Sequence, residues 1–110
     1  ERGIRTFEDY VRNTLPLAIV PELHKRSHLP VVVDPSHGTG RREKVIPMAR
    51  AGIAIGADGI MVEVHCQPEK ALSDGPQALL PKQYAELMDQ IRKLATLFGK
   101  RISPTTGRAS

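Results

Sequence analysis

The stretch Val31-Val32-Val33-Asp34-Pro35-Ser36-His37-Gly38-Thr39-Gly40-Arg41-Arg42 decides the fold. A run of β-branched residues ends abruptly in an acid, a proline, a histidine, two glycines and two arginines. Three consecutive valines suit a strand buried on both faces, as in a parallel sheet. The polar cluster then falls at the strand's C-terminal end. In α/β barrels and open α/β sheets, that is the edge where chemistry is done. The grammar repeats downstream, where Gly59-Ile60-Met61-Val62 leads into Glu63-Val64-His65. Two strand ends each deliver an acid and a histidine to one rim.

Between them, residues 41–55 read as a helix, with Val45, Ile46, Met48, Ala49, Ile53 and Ile55 forming an apolar stripe and Pro47 absorbed in its first turns. Strand, helix and strand together have the size of a βαβ crossover. Upstream, residues 15–27 carry apolar positions interrupted by Pro21. They predict a short lead-in followed by a helix over about 21–26, or a kink, with Asn13 or Thr14 as the cap. Residues 68–75 read as a loop with one helical turn at most. Residues 81–98 read as the clearest helix, opened by Pro81 and stopped by Gly99. Residues 103–110 read as a polar, disordered tail. The order helix, strand, helix, strand, helix is α/β with parallel strands. Two strands cannot close a sheet, so the stretch is expected to be part of a larger barrel or of an open sheet. The opening Glu1-Arg2-Gly3, with no Met, is expected of a cut rather than a natural start.

At 110 residues, 40% hydrophobic and 25% charged, the chain is the material of one globular domain. The net charge of +4 admits a nucleic-acid partner. Scattered basic residues and an aromatic content of 4% speak against one. Arginines beside strand ends suit a small phosphorylated or carboxylated ligand better. The single cysteine rules out an internal disulfide framework and suits a reducing, cytoplasmic setting. No apolar run approaches a membrane span.

Several side chains are candidates for chemistry, each with a bland alternative. His37 is a metal ligand or a structural histidine. Glu63, within an apolar strand, needs a partner, because an unpaired buried charge is costly. It can be a metal ligand, the partner of an arginine or a general base. Asp74 is a ligand or simply an Asx turn. Together His37, Glu63 and Asp74 form a mixed N/O set suited to divalent Mn, Fe, Co or Zn. Asp34 and His65 complete that set or support it from behind. Strand alternation turns Cys66 away from the rim into a packing role. His24 and His28 are expected at the surface. Arg2, Arg41 and Arg42 are candidate anion binders, and Gly38 and Gly40 let backbone approach an anion. The pattern is neither a Walker loop nor a dinucleotide fingerprint.

Four longer motifs carry a family resemblance. They are Glu-Arg-Gly-Ile-Arg-Thr-Phe-Glu at 1–8, Leu-Pro-Val-Val-Val-Asp-Pro-Ser-His at 29–37, Val-Glu-Val-His at 62–65 and Glu-Lys-Ala-Leu-Ser-Asp-Gly-Pro-Gln at 69–77. Over residues 1–102 the chain resembles 3-deoxy-D-arabino-heptulosonate 7-phosphate (DAHP) synthase, in the subfamily related to 3-deoxy-D-manno-octulosonate 8-phosphate synthase. The resemblance implies the C-terminal part of a (β/α)8 barrel, from the end of strand six through helix eight. It implies condensation of phosphoenolpyruvate with erythrose 4-phosphate, the first step of the shikimate route. It implies a divalent metal with His37, Glu63 and Asp74 among its ligands, and Arg2 as a phosphoenolpyruvate contact. The family's Gly-Pro-Cys and Lys-Pro-Arg-Thr motifs are not in these residues, and Cys66 matches no ligand position. The 110 residues alone are therefore expected to be inactive and the parent to be an enzyme. Exposed barrel edges are expected to favour dimerisation or aggregation of the 110 residues alone, and the parent is expected to be a homo-oligomer. The alternatives are an octulosonate 8-phosphate synthase-like enzyme and a non-catalytic half-barrel that serves interactions.

Overall fold

The computed structural model describes residues 2–5, 13–70 and 75–103. Two short strands, β1 (Val32–Val33) and β2 (Gly59–Ile60), pair in parallel, with Val32 beside Gly59 and Val33 beside Ile60. A single parallel bridge between Val64 and Leu79 extends the line of β2. Around them lie the helices α1 (Ile19–Arg26), α2 (Pro35–Thr39), α3 (Arg42–Ala54) and α4 (Pro81–Leu97). The class is α/β with a parallel strand pair, as the valine run and the helical periodicities predict.

The parity of the strands sorts the side chains. Val31, Val33, Ile60 and Val62 face the helices, whereas Val32 and Met61 face the other way. On the helical side, Val31 and Val33 pack with Leu15, Val20 and Ala57. Val45, Ala49, Leu79 and Leu87 form a second cluster, and Ile60 lies against both. Burying an aliphatic side chain of this size contributes about 1.5–3 kcal/mol, so among the described residues these two clusters are a main source of packing energy. On the opposite face Val32 is 42% exposed and Met61 55% exposed. The expectation that all three valines are buried is therefore corrected at Val32: the helices cover only one side of the strands.

The elements depart from expectation in informative ways. Helix α1 begins at Ile19, so Pro21 falls in its first turn, where no intrahelical N–H bond is needed. Asn13 and Thr14 do not cap it. The Thr14 backbone pairs with Ile4, and the Asn13 side-chain amide donates to the His37 carbonyl at 2.9 Å. Strand 59–65 is paired only at its first two residues and near Val64, because β1 itself ends at Val33. Pro47 stands in the second turn of α3, on its exposed side. The loop after His65 contains two 3₁₀ turns, Pro68–Lys70 and Gly75–Gln77. Helix α4 begins at Pro81 as predicted, and Gln83 Oε1 accepts the Leu80 N–H at 2.8 Å. Most of the tail, residues 104–110, lies outside the described residues.

Candidate functional site

Because β1 and β2 run in parallel, their C-terminal ends share one edge, and the polar residues of both strands collect there. Asp34 follows β1 directly and is 2% exposed. Its Oδ1 accepts the backbone N–H of His37 at 2.9 Å, which caps α2, and Pro35 fills the first helical position. This single turn lifts His37 over the strand end. Sequence reading missed α2, although an acid followed by proline is its start signal.

His37 is held at three points. Its N–H bonds Asp34, its C=O accepts from Asn13, and its Nδ1 lies 2.7 Å from Asp34 Oδ2. A carboxylate only accepts, so Nδ1 carries the hydrogen, and in a neutral ring Nε2 is then the acceptor. Nε2 lies 3.6 Å from Glu63 Oε1. Glu63 is itself pinned through its backbone. Its N–H donates to Ser36 Oγ at 2.9 Å, and its C=O accepts the Leu79 N–H at 2.8 Å. Ser36 is fully buried. The serine beside one candidate ligand thus sets the position of the other, 27 residues away. Sequence reading assigned Ser36 no role.

Arg2 reaches the same carboxylate from another segment, with Nε 3.2 Å from Asp34 Oδ2 and 65% of its side chain exposed. Two glycines make that approach possible. Gly3 has φ +77°, and a Cβ there would lie 2.3 Å from the Thr14 carbonyl oxygen. At Gly38 a Cβ would lie 2.9 Å from Leu15 Cδ1 and 3.2 Å from the Arg2 carbonyl oxygen.

Other candidates land elsewhere. Arg42 donates from Nε to the Ala78 carbonyl at 2.6 Å and from Nη2 to the Gly75 carbonyl at 3.2 Å. It staples the second 3₁₀ turn to α3, which commits two of its five N–H donors to backbone. Gly38 serves close packing and Gly40 ends α2 in a left-handed conformation. His65 Nδ1 accepts the Gln67 N–H at 2.9 Å, a local turn bond. Cys66 is exposed, not packed as expected, because the chain leaves the strand before it. Asp74 lies outside the described residues.

At the opposite edge, His24 Nε2 and the Val31 N–H both meet Asp58 Oδ2, at 2.7 and 2.9 Å. The Val31 N–H, then His24, hold the Asp58 carboxyl below the usual carboxylate range. This clamp ties α1, β1 and β2 together far from the rim, so His24 has a structural partner that the sequence did not reveal.

The rim donors suit a divalent cation. At 3.6 Å the His37–Glu63 contact is too long for a hydrogen bond. Two ligand atoms about 2.1 Å from one ion, at a tetrahedral angle, lie roughly 3.4 Å apart. The carboxylate behind His37 is the usual support for a metal-bound imidazole. Among the described residues no group of three or more His, Cys, Asp or Glu side chains converges on one point. His37 and Glu63 are the described pair whose spacing fits one ion. Among the described residues no helix is long and apolar enough to cross a membrane.

Comparison with known proteins places the chain in a family. The family model described as the DAHP synthetase I family matches residues 1–99. A phospho-2-dehydro-3-deoxyheptonate aldolase of Thermotoga maritima is 56% identical over 103 residues, covering 94% of this chain and 30% of the relative. A 2-dehydro-3-deoxyphosphooctonate aldolase of Dichelobacter nodosus is 43% identical over 109 residues, covering 88% of this chain and 38% of the relative. The crystal structure of the Thermotoga maritima DAHP synthase superposes with a TM-score of 0.90 at 56% identity, over 94% of this chain and 30% of that one. A truncated form of the synthase from Thermotoga maritima gives the same TM-score, over 39% of its length. The chain thus spans between 30% and 39% of the length of these relatives.

Proposed function

Because the chain belongs to the DAHP synthetase I family, we propose that the protein containing it condenses phosphoenolpyruvate with erythrose 4-phosphate to DAHP and phosphate. The observation that carries this reading is the rim itself. His37 Nε2 and Glu63 Oε1 stand 3.6 Å apart, and Arg2 stands beside them on the shared Asp34. His37, Glu63 and Asp74 hold a divalent cation of the Mn, Fe, Co or Zn kind. A cation bound there supplies Lewis acidity toward the sugar aldehyde oxygen. Arg2 offers an exposed guanidinium to the phosphate or carboxylate of phosphoenolpyruvate, a geometry a planar fork suits. Asp34 fixes the ring of His37 and Asn13 its backbone carbonyl, so the rim meets its ligands already ordered.

The same reading assigns the chain to the C-terminal part of a (β/α)8 barrel, from the end of strand six through helix eight. One-sided packing supports it: the helices cover Val33 and Ile60, while Val32 and Met61 stay exposed on the other face. In a closed barrel that second face is the filled interior. Residues outside this stretch then complete both the barrel and the substrate site, and the 110 residues alone are inactive.

A second reading, octulosonate 8-phosphate synthesis, is favoured by the 43% identity to the Dichelobacter nodosus aldolase. One assay separates them. Phosphate release from phosphoenolpyruvate is followed with added Mn²⁺, using erythrose 4-phosphate or arabinose 5-phosphate, on this chain and on the full-length protein. Activity of the full-length protein with erythrose 4-phosphate is the expected result. Preference for arabinose 5-phosphate supports the sibling reaction. No turnover with either sugar overturns both and favours a non-catalytic half-barrel.

A further inference from the structure

Asp34 is placed unlike any other carboxylate among the described residues. It is 2% exposed, and one oxygen, Oδ2, receives both the His37 Nδ1–H at 2.7 Å and the Arg2 Nε contact at 3.2 Å. Its other oxygen holds the His37 backbone N–H at 2.9 Å. A buried carboxylate is tolerable only while its charge is compensated, so whatever one partner gives up the other must supply. The two partners face different ligands. Arg2 is exposed and offers its charge to an anion, whereas His37 offers Nε2 to a cation.

We propose that Asp34 is a positioning residue linking the anion site at Arg2 to the cation site at His37, so that filling either tightens the other. The inference rests on the reading of His37 as a metal ligand and Arg2 as an anion binder. An anion on Arg2 draws the guanidinium's charge away from Asp34. More of the Oδ2 acceptor capacity then goes to the His37 Nδ1–H, which holds the ring more firmly with Nε2 outward. A cation on Nε2 polarises the ring, strengthens the Nδ1–H bond to Asp34 and releases Arg2 toward its anion. Such linkage is reciprocal by thermodynamic necessity. Gly3 and Gly38 are the structural counterpart, since a Cβ at Gly3 would meet the Thr14 carbonyl oxygen and one at Gly38 would crowd Leu15 and the Arg2 carbonyl oxygen.

The test measures Mn²⁺ affinity of the metal-stripped full-length protein by the loss of the free-ion EPR signal. It is run with and without phosphoenolpyruvate, in the wild type, Arg2→Gln, Asp34→Asn and the double variant. Wild-type affinity is expected to tighten about fivefold or more with phosphoenolpyruvate. Asp34→Asn is expected to weaken Mn²⁺ binding by about 10–100-fold, as loss of a supporting carboxylate does, and to reduce the enhancement below about twofold. Arg2→Gln is expected to tighten Mn²⁺ binding without phosphoenolpyruvate, an effect that disappears in the Asp34→Asn background. Arg2→Lys, which keeps a positive charge beside Asp34, is expected to bind Mn²⁺ as the wild type does, and it separates loss of charge from loss of fold in Arg2→Gln. An Arg2→Gln protein with wild-type Mn²⁺ affinity overturns the link. So does an Asp34→Asn protein that keeps the wild-type enhancement, which would mean direct attraction between the ligands. A wild type that binds no Mn²⁺, or binds it equally after His37→Ala, overturns the underlying reading and the link with it. Intact binding with no coupling overturns the link alone.

Discussion

Replacing Ser36 with alanine isolates the device that brings His37 and Glu63 together. Ser36 is fully buried, and its hydroxyl accepts the Glu63 N–H at 2.9 Å. The substitution removes one oxygen, so it opens no appreciable cavity and leaves the apolar clusters intact. What it leaves is a half-buried N–H without its acceptor, at a cost of about 1–3 kcal/mol. The Glu63 carbonyl remains tied to Leu79, so the strand end stays in place while Glu63 pivots about that bond. Glu63 Oε1 then loses its fixed 3.6 Å relation to His37 Nε2. A tenfold loss of affinity corresponds to about 1.4 kcal/mol, so Mn²⁺ binding should weaken by roughly that factor. Denaturant unfolding of the full-length protein should show the midpoint falling with an unchanged slope. Isothermal titration with Mn²⁺ should show the weaker affinity. Wild-type midpoint and wild-type affinity together would refute the role assigned to Ser36. A lower midpoint with unchanged affinity would reduce it to a stabilising contact.

Gly3→Ala places a methyl 2.3 Å from the Thr14 carbonyl oxygen at φ +77°, so the Arg2 segment must lift away. Steady-state kinetics should show a KM for phosphoenolpyruvate raised about tenfold or more, with Mn²⁺ affinity nearly unchanged. Arg42→Met keeps the aliphatic stem and removes both bonds to the Gly75 and Ala78 carbonyls. The expected loss is about 1–3 kcal/mol, with faster proteolysis between residues 70 and 80 as its signature. Asp58 is depressed chiefly by the Val31 N–H and then by His24. A depressed carboxyl contributes stability above its unfolded pKa of about 3.9 and loses it as pH falls through the lower folded value. Asp58→Asn should therefore flatten the acid limb of the stability profile below about pH 4, read by circular dichroism at fixed denaturant.

The sequence announced its elements where side-chain periodicity alone decides them. The valine run, the spacing of Leu87, Ile91 and Ala95, and Pro81 ahead of them place one strand and the last helix nearly where they stand. Asp34-Pro35 also held a readable signal for α2, an acceptor side chain followed by a residue with no N–H to satisfy. It is eclipsed by the glycines after it. The bond from Ser36 to Glu63 and the clamp from His24 to Asp58 were not readable. Each joins residues 27 or 34 positions apart, and a hydroxyl or a carboxylate carries no mark of its partner. Arg42 shows the same limit from the other side. Arginine at a strand end suits an anion, yet two backbone carbonyls of the 75–78 turn also draw on its donors, and nothing in the sequence marks them as partners. Val32 was misjudged because two-sided burial belongs to a sheet covered on both faces. Here the face opposite the helices leaves it 42% exposed.

The central claim is that His37 and Glu63 hold one divalent cation. Anomalous diffraction at the manganese edge, from crystals of the full-length protein soaked with Mn²⁺ and phosphoenolpyruvate, tests it directly. The account predicts a single strong peak about 2.1–2.3 Å from both His37 Nε2 and a Glu63 carboxylate oxygen, with Asp34 still bonded to His37 Nδ1. A strong peak elsewhere, with His37 and Glu63 both unliganded, would contradict it.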